Sequence, residues 1–219
     1  MLSYICPEWK RLFGLKKKGR VIMSLQRARR YIEQLHKRQD NPYLWPDYLT
    51  GLPDQRAVVK KLSDIFPKIG RYAICYLRIA NIEPYLMKYG YDKHAEIIQW
   101  AAAILKSVAI ETGQTFVGKA GTHEFVVIIR PSKISDFIKK ANSLLRRKSR
   151  AWYNQEDLKR GFIFTYQDAS GEERQAGLLK FVCAYVDSQI NLERMELLPY
   201  LKNLCRKAET EDRTVLRCS

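Results

Sequence analysis

Read from the amino end, apolar positions first recur at helical spacing over residues 21–40, at Ile22, Leu25, Ala28, Ile32 and Leu35, with Arg27, Arg29, Arg30, Lys37 and Arg38 between them. Steps of three and four place these residues on one narrow stripe, which predicts a helix that packs on its own domain or pairs with a second copy. Ahead of it, Trp9, Leu12 and Phe13, followed by Lys16, Lys17, Lys18 and Arg20, suggest a short amphipathic basic turn. Asn41-Pro42 and Pro46-Asp47 then interrupt the pattern, because a proline disfavours helix at the residue before it. The expected division is a basic N-terminal segment and helix over 1–46 and a domain over 47–219.

Beyond that boundary helical and strand patterns alternate. Residues 54–66 predict a helix, and the apolar and aromatic run 72–79 a buried strand. Helical periodicity returns at Ile97, Ile98, Ala101, Ile104, Leu105 and Val108. Two short strand-like runs, 115–119 and 124–130, flank Ala120-Gly121-Thr122-His123, a hairpin whose glycine suits a positive φ. A helix over 132–147, with Ser132 as its N-cap, carries Ile134, Phe137, Ile138, Ala141, Leu144 and Leu145 on one face. Strands over 162–166 and 178–186 enclose the polar stretch 168–173, and a last helix spans 193–209. This order predicts a single sheet with helices on its faces, an α+β or α/β sandwich.

Composition narrows the function classes. With 46% hydrophobic residues among 219, the chain can furnish one real core, so disorder is not the default. Cys6, Cys75, Cys183, Cys205 and Cys218 are scattered, without a CxxC pair, and read as reduced thiols rather than a zinc site. No apolar run approaches the ~18 residues needed to cross a bilayer, and the N-terminus lacks a secretory signal. A cytoplasmic location, with peripheral contact at a membrane as a variant of it, is the expectation.

Charge adds a surface to this picture. The formal net charge is +16, and residues 1–40 hold eleven Lys or Arg against Glu8, Glu33 and Asp40. Lys16, Lys17, Lys18, Arg20, Arg27, Arg29 and Arg30 could therefore meet nucleic acid, an anionic membrane or an acidic protein, or form a solvated helix face. A second cluster, Lys139, Lys140, Arg146, Arg147, Lys148 and Arg150, reads as a solvated helix end.

The segment from Asp47 through Leu49-Thr50-Gly51-Leu52 to Arg56 resembles the DxLTGLxNR opening of GGDEF domains, the diguanylate cyclase family. In order there follow a strand, a helix pair and the hairpin Gly121-Thr122-His123-Glu124-Phe125 where that family has its five-letter signature. Lys119 stands where the family usually has arginine. The resemblance covers about residues 47–216 and implies a central mainly antiparallel sheet flanked by helices, as in the palm of nucleotide cyclases and polymerases. The N-terminal basic helix would be an extension to it.

Within that resemblance the chemistry is missing. Diguanylate cyclases hold divalent metal on GTP through carboxylates, because hard cations take oxygen ligands. The resemblance places Arg78 at the metal Asp and His123 at the second acidic position, leaving Glu124. The guanine-reading Asn and Asp fall on Leu86 and Ala95, the signature's second glycine on Thr122, and the phosphate-binding Lys on Ala208 or Glu209. Thr112 and Thr115 occupy the positions of the family's inhibitory RxxD. The implied protein is a degenerate, non-catalytic domain with no cofactor, no metal and no catalytic residues, and a bacterial signalling module that binds a protein partner. Arg78, Glu83, Lys119, His123 and Glu124 would form its vestigial site or partner surface.

An Arg78–Glu124 ion pair would neutralise what metal once neutralised. Asp47, Thr50 and Gly51 are expected to cap a helix and form a turn, Tyr85, Tyr89 and Tyr91 to pack at the core edge, and Asp92 and His94 to face solvent. A homodimer through the N-terminal helix, a non-catalytic sensor of GTP or cyclic di-GMP, and nucleic-acid or membrane binding through the basic segment are the other expectations.

Overall fold

The computed structural model describes residues 19–38, 47–113, 116–167 and 171–218, with backbone only for 19–24 and 35–38. The expected basic turn, including Trp9, Phe13 and Lys16 to Lys18, lies outside the described residues, as do the prolines of the boundary, Thr115 and the side chain of Arg20.

Five strands form the central sheet: β1 (Ala73–Ala80), β2 (Phe116–Lys119), β3 (Glu124–Ile129), β6 (Lys180–Val186) and β7 (Val215–Arg217), in the order β2-β3-β1-β6-β7. The pairs are antiparallel except β6 with β7. Alternation along β1 builds two cores, as a period of two requires. Ala73, Cys75, Leu77 and Ile79 meet Phe125, Val127, Phe181 and helices α3 (Ile82–Tyr89), α4 (His94–Thr112) and α5 (Ile134–Ser149). Ile74, Tyr76 and Ala80 meet Val126, Val182 and Ala184 under α2 (Gln55–Ile65) and α7 (Arg194–Thr210).

The fold is thus α+β, a mainly antiparallel sheet between two helical layers. An outer helix, α1 (Gly19–Arg38), rests Ala28 and Ile32 on Ala103 and Trp100 of α4. The described part of its apolar stripe, Leu25, Ala28 and Ile32, is covered within the same chain. That cover explains why α4 is buried on nearly every face, with Ala101, Ala102, Ala103 and Ile104 all inaccessible. Of the second basic cluster, Lys140 pairs with Glu111 and Lys148 with Glu96 at 3.3 Å, the latter also lying over Trp100.

Several expectations need correction. The strands do not form a single sheet, because β4 (Phe162–Gln167) pairs with β5 (Glu173–Gly177) in a separate ribbon. Of the polar stretch 168–173, residues 168–170 lie outside the described residues and Glu173 opens β5, while β6 begins at Lys180 rather than 178. A short helix, α6 (Gln155–Arg160), precedes the ribbon. Ser132 does not cap α5, since Pro131–Lys133 is a 3-10 turn and Lys133 holds the cap position without a side-chain bond. The cap of α2 is Asp54, which accepts from the Ala57 amide at 2.9 Å. Asp47 instead closes the preceding turn, accepting from the Thr50 amide at 2.8 Å, and Gly51 takes a φ of 63° there. The described cysteines are free and buried.

Candidate functional site

Arg78 sits near the end of β1, directly opposite Glu124 at the start of β3. Strand pairing alone brings these two side chains to one face of the sheet, at one end of the two strands. The Arg78 guanidinium lies 3.5 Å from Glu124, donates from Nε to Glu209 of α7 at 2.8 Å, and donates from Nη2 to Glu83 of α3 at 2.7 Å. Four elements thus converge on one planar fork, a geometry that only arginine supplies. Its side chain is 14% exposed. Burial disfavours its charge, but Glu209 and Glu83 outweigh that and raise its pKa above the ordinary value.

Each carboxylate has a second anchor. Glu209 also accepts from the Asn81 amide at 2.9 Å, where Asn81 turns the chain from β1 into α3 with a φ of 60°. Glu124 is buried and lies 3.2 Å from Lys202 of α7. Burial, then Glu124, push the Tyr76 hydroxyl pKa up, so this phenol stays protonated beside the carboxylate. Lys119 faces the other way and pairs with Asp47 at 3.1 Å.

Gly121 does not take the positive φ expected of it. Its role is space, because a Cβ there would fall 2.1 Å from Glu124 Oε2. The absent side chain lets the hairpin close over the carboxylate that Arg78 and Lys202 hold. Thr122 is exposed at the tip and Phe125 is fully buried beneath it.

His123 is not a solitary surface imidazole. Its Nε2 meets His94 Nε2 at 2.8 Å, and its Nδ1 lies 3.8 Å from Glu83. His94, expected in solvent, is half-buried at the start of α4. Burial lowers the His123 pKa, Glu83 opposes this, and His94 and Arg78 add to the lowering. The two positions expected for guanine contacts part company: Leu86 is buried in the core and Ala95 is exposed. Among the described residues no group of three His, Cys, Asp or Glu could hold a metal ion.

Sequence reasoning missed three participants. Glu209 entered only as one of two positions for a lost lysine, and the structure buries Ala208 while aiming Glu209 at Arg78. Lys202 lies seven residues before Glu209, two turns along the same face of α7, a spacing that could have signalled it. The His94 contact had no local signal.

Tyr85 and Tyr89 stack at 4.9 Å, and Tyr153 meets both edge-on, as core-edge packing requires. Tyr91 departs from that expectation and is 73% exposed. Arg27 pairs with Glu111 at 3.5 Å and Arg29 with Glu33 at 3.2 Å, while Arg30 is exposed. No helix among the described residues is long and apolar enough to cross a membrane.

This architecture is the fold of GGDEF domains. Over 96% of this chain and 73% of the other, it matches the diguanylate cyclase SiaD of Pseudomonas aeruginosa, solved with its activator SiaC, at 13% identity and a TM-score of 0.56. The coiled coil and GGDEF domain of DgcB from Caulobacter crescentus, in complex with c-di-GMP, matches over 93% of this chain and all of that one, at 14% identity and a TM-score of 0.51. A diguanylate cyclase/phosphodiesterase from Caldicellulosiruptor saccharolyticus matches over 80% and 95%, at 20% identity and a TM-score of 0.51. No protein-family model matches the sequence, and neither does any curated protein. The likeness is therefore one of fold, and the site must be judged on its own residues.

Proposed function

We propose that this chain is a catalytically inactive diguanylate cyclase-like domain, over residues 47–219 with a basic extension over 1–46, that works as a signalling or scaffolding module by binding another protein. The observation that carries the reading is Arg78, a permanent cation held by three carboxylates, at the position that the sequence resemblance gives to a cyclase's metal-binding Asp. A metal ion there would face a guanidinium, and Glu83, Glu124 and Glu209 are already committed to it. Losing metal-based stabilisation of charge in a transition state typically costs several kcal/mol, or ~100-fold and more in rate. Leu86 and Ala95 offer guanine no side-chain hydrogen bond, which supports the same conclusion.

Protein binding as the remaining role has support by analogy in SiaD, whose structure was solved with a protein activator. Incubation of the purified chain with GTP and either Mg2+ or Mn2+ should give no cyclic di-GMP above a protein-free blank by liquid chromatography. Product formed at the rate of a working cyclase would refute inactivity. Crosslinking in the native host should trap one recurrent protein, and trapping only unrelated proteins would refute the scaffolding role.

A non-catalytic nucleotide sensor is the second reading. One feature favours it, a cleft of about 780 Å³ lined by Arg78, Tyr166, Arg174, Lys180 and Arg206. Its volume lies in the range of small-molecule sites, and its cations suit a phosphate. Glu209 and Asp212 line it too, Arg78 is held by Glu83, Glu124 and Glu209, and Lys180 is paired with Asp212 at 2.5 Å, which weakens the case. Calorimetry with GTP, ATP and cyclic di-GMP should show no saturable heat under the first reading. Saturation with any of them, lost in Arg174→Ala, would establish the second.

A further inference from the structure

His94 and His123 come from different elements, one from the first turn of α4 and the other from the tip of the β2–β3 hairpin. Their Nε2 atoms are 2.8 Å apart and their ring centroids 5.1 Å apart, with planes at 85°. The centroid separation exceeds the nitrogen separation by about the two ring radii. The nitrogens therefore face each other head-on, and the contact is a hydrogen bond in which one Nε2 carries a proton and the other accepts it. A ligand pair for one metal ion would instead aim both lone pairs at a common point to the side.

Such a bond tolerates at most one extra proton. With both rings neutral, one N–H donates to the other's lone pair. With one ring cationic, the bond becomes charge-assisted and shorter. With both rings cationic, two N–H groups confront each other with no acceptor between them.

We propose that His94 and His123 form a proton-controlled latch, which holds the hairpin tip against the start of α4 and opens when the second proton arrives. The groups around the pair are Glu83 of α3, 3.8 Å from His123 Nδ1, Arg78 of β1, Glu124 of β3, and the Tyr91 ring beside His94. Asp92 and Lys93 flank His94 in sequence and are exposed, Lys93 pairing with Glu96 at 3.2 Å. Glu83 and Glu124 favour a cationic His123, whereas burial, His94 and Arg78 oppose it. Opposition prevails, so the folded hairpin binds the His123 proton less readily than the unfolded chain, whose ordinary value is 6.5. The sign follows from linkage: the latched state is undisturbed above pH 6.5 and loses ground as pH falls below it.

Opening would loosen only the bonds at the tip. These are the Ile79 amide to the His123 carbonyl at 3.0 Å and the Ala120 and Gly121 amides to the Glu124 carbonyl at 2.9 and 3.2 Å, while the β2–β3 ladder from Lys119 and Phe125 onward stays paired. Arg78, which is mostly buried beside the exposed Glu83, would then meet solvent. This inference does not depend on whether the domain is active or what it binds.

Hydrogen exchange of the bonded amides of Ile79, Ala120 and Gly121, corrected for the intrinsic rate, tests the latch at about pH 7.5 and about pH 5. The unaltered chain should lose protection severalfold at the tip on acidification. His94→Ala should have low protection at both values and no such pH response. An equal pH response in the variant, or none in the unaltered chain, would overturn the proposal. Should the variant unfold, the Cε1 proton shifts of the unaltered chain decide between two linked steps, as the latch requires, and two independent titrations near the ordinary value, which would refute it. Stoichiometric Zn2+ or Ni2+ uptake that abolishes both titrations would also refute it, assigning the pair to a metal.

Discussion

Replacing Arg78 by alanine is expected to destabilise the domain by about 3 kcal/mol, because removing one partner of a mostly buried ion cluster leaves the others uncompensated. Glu209 would keep the Asn81 amide, and Glu124 would keep Lys202 and the Tyr76 hydroxyl, but neither would have the guanidinium. Urea denaturation at neutral pH measures the loss through the midpoint at unchanged slope. Arg78→Met separates packing from charge, since methionine refills much of the volume without the cation. It should be nearly as unstable as the alanine variant. Arg78→Lys should recover part of the loss, as an ammonium cannot reach three carboxylates with one rigid fork. If the alanine variant stays within about 0.5 kcal/mol of the unaltered chain, in the range of ordinary surface substitutions, the cluster is ornamental.

The same cluster shows how far the sequence could be read. Position 78 announced itself as the one charged residue in the apolar run 72–79, at the place where the resemblance has its metal Asp. The cross-strand partner Glu124 followed from the hairpin. Glu209 could not be assigned, since a one-residue ambiguity in a helix rotates the side chain by about 100°, between core and site. Only packing against the sheet settled which residue faced inward. His94 pairs with His123 across 29 positions, and nothing local to either residue reports the other. Gly121 was read through the commonest reason for a glycine, backbone freedom, whereas its actual constraint is a carboxylate from the neighbouring strand.

The elements that escaped were the ones with weak periodicity. Helix α6 has six residues, less than two turns, too few for an amphipathic pattern. Strand β5 is polar and largely exposed, so it carries no apolar alternation. Its partner β4 was legible as the run 162–166, with Ile163 buried and Phe164 packed on the core, whereas a ribbon outside the main sheet needs no second buried face. Strong hydrophobic patterning thus marked the sheet and the long helices, and failed where burial is partial.

What keeps this patternless region in place is a single buried acid, and the second large effect is expected there. Asp157 of α6 is inaccessible, and its carboxylate meets Lys88 Nζ at 2.7 Å, Arg160 Nη2 at 2.5 Å and the Tyr89 hydroxyl. Lys88 and Arg160 also donate to the Ile163 carbonyl at 3.1 and 3.2 Å, so the acid ties α3, α6 and the start of β4 together. Asp157→Ala should cost about 4 kcal/mol, the scale for breaking a buried pair, and Asp157→Asn less, because an amide keeps the shape and one acceptor. Burial raises the Asp157 pKa, and hydrogen bonds from Lys88, Tyr89 and Arg160 more than reverse this, lowering it from 3.8 to about 2. The folded state therefore holds this proton more weakly than the unfolded chain does. Its stabilising contribution is complete above the unfolded value and disappears as pH falls through the folded one. The stability gap between the unaltered chain and Asp157→Asn should accordingly be constant near neutrality and narrow as pH falls from 3.8 to about 2. Urea midpoints measured across that interval check this, and a gap that stays constant throughout would mean that the aspartate acts by shape alone.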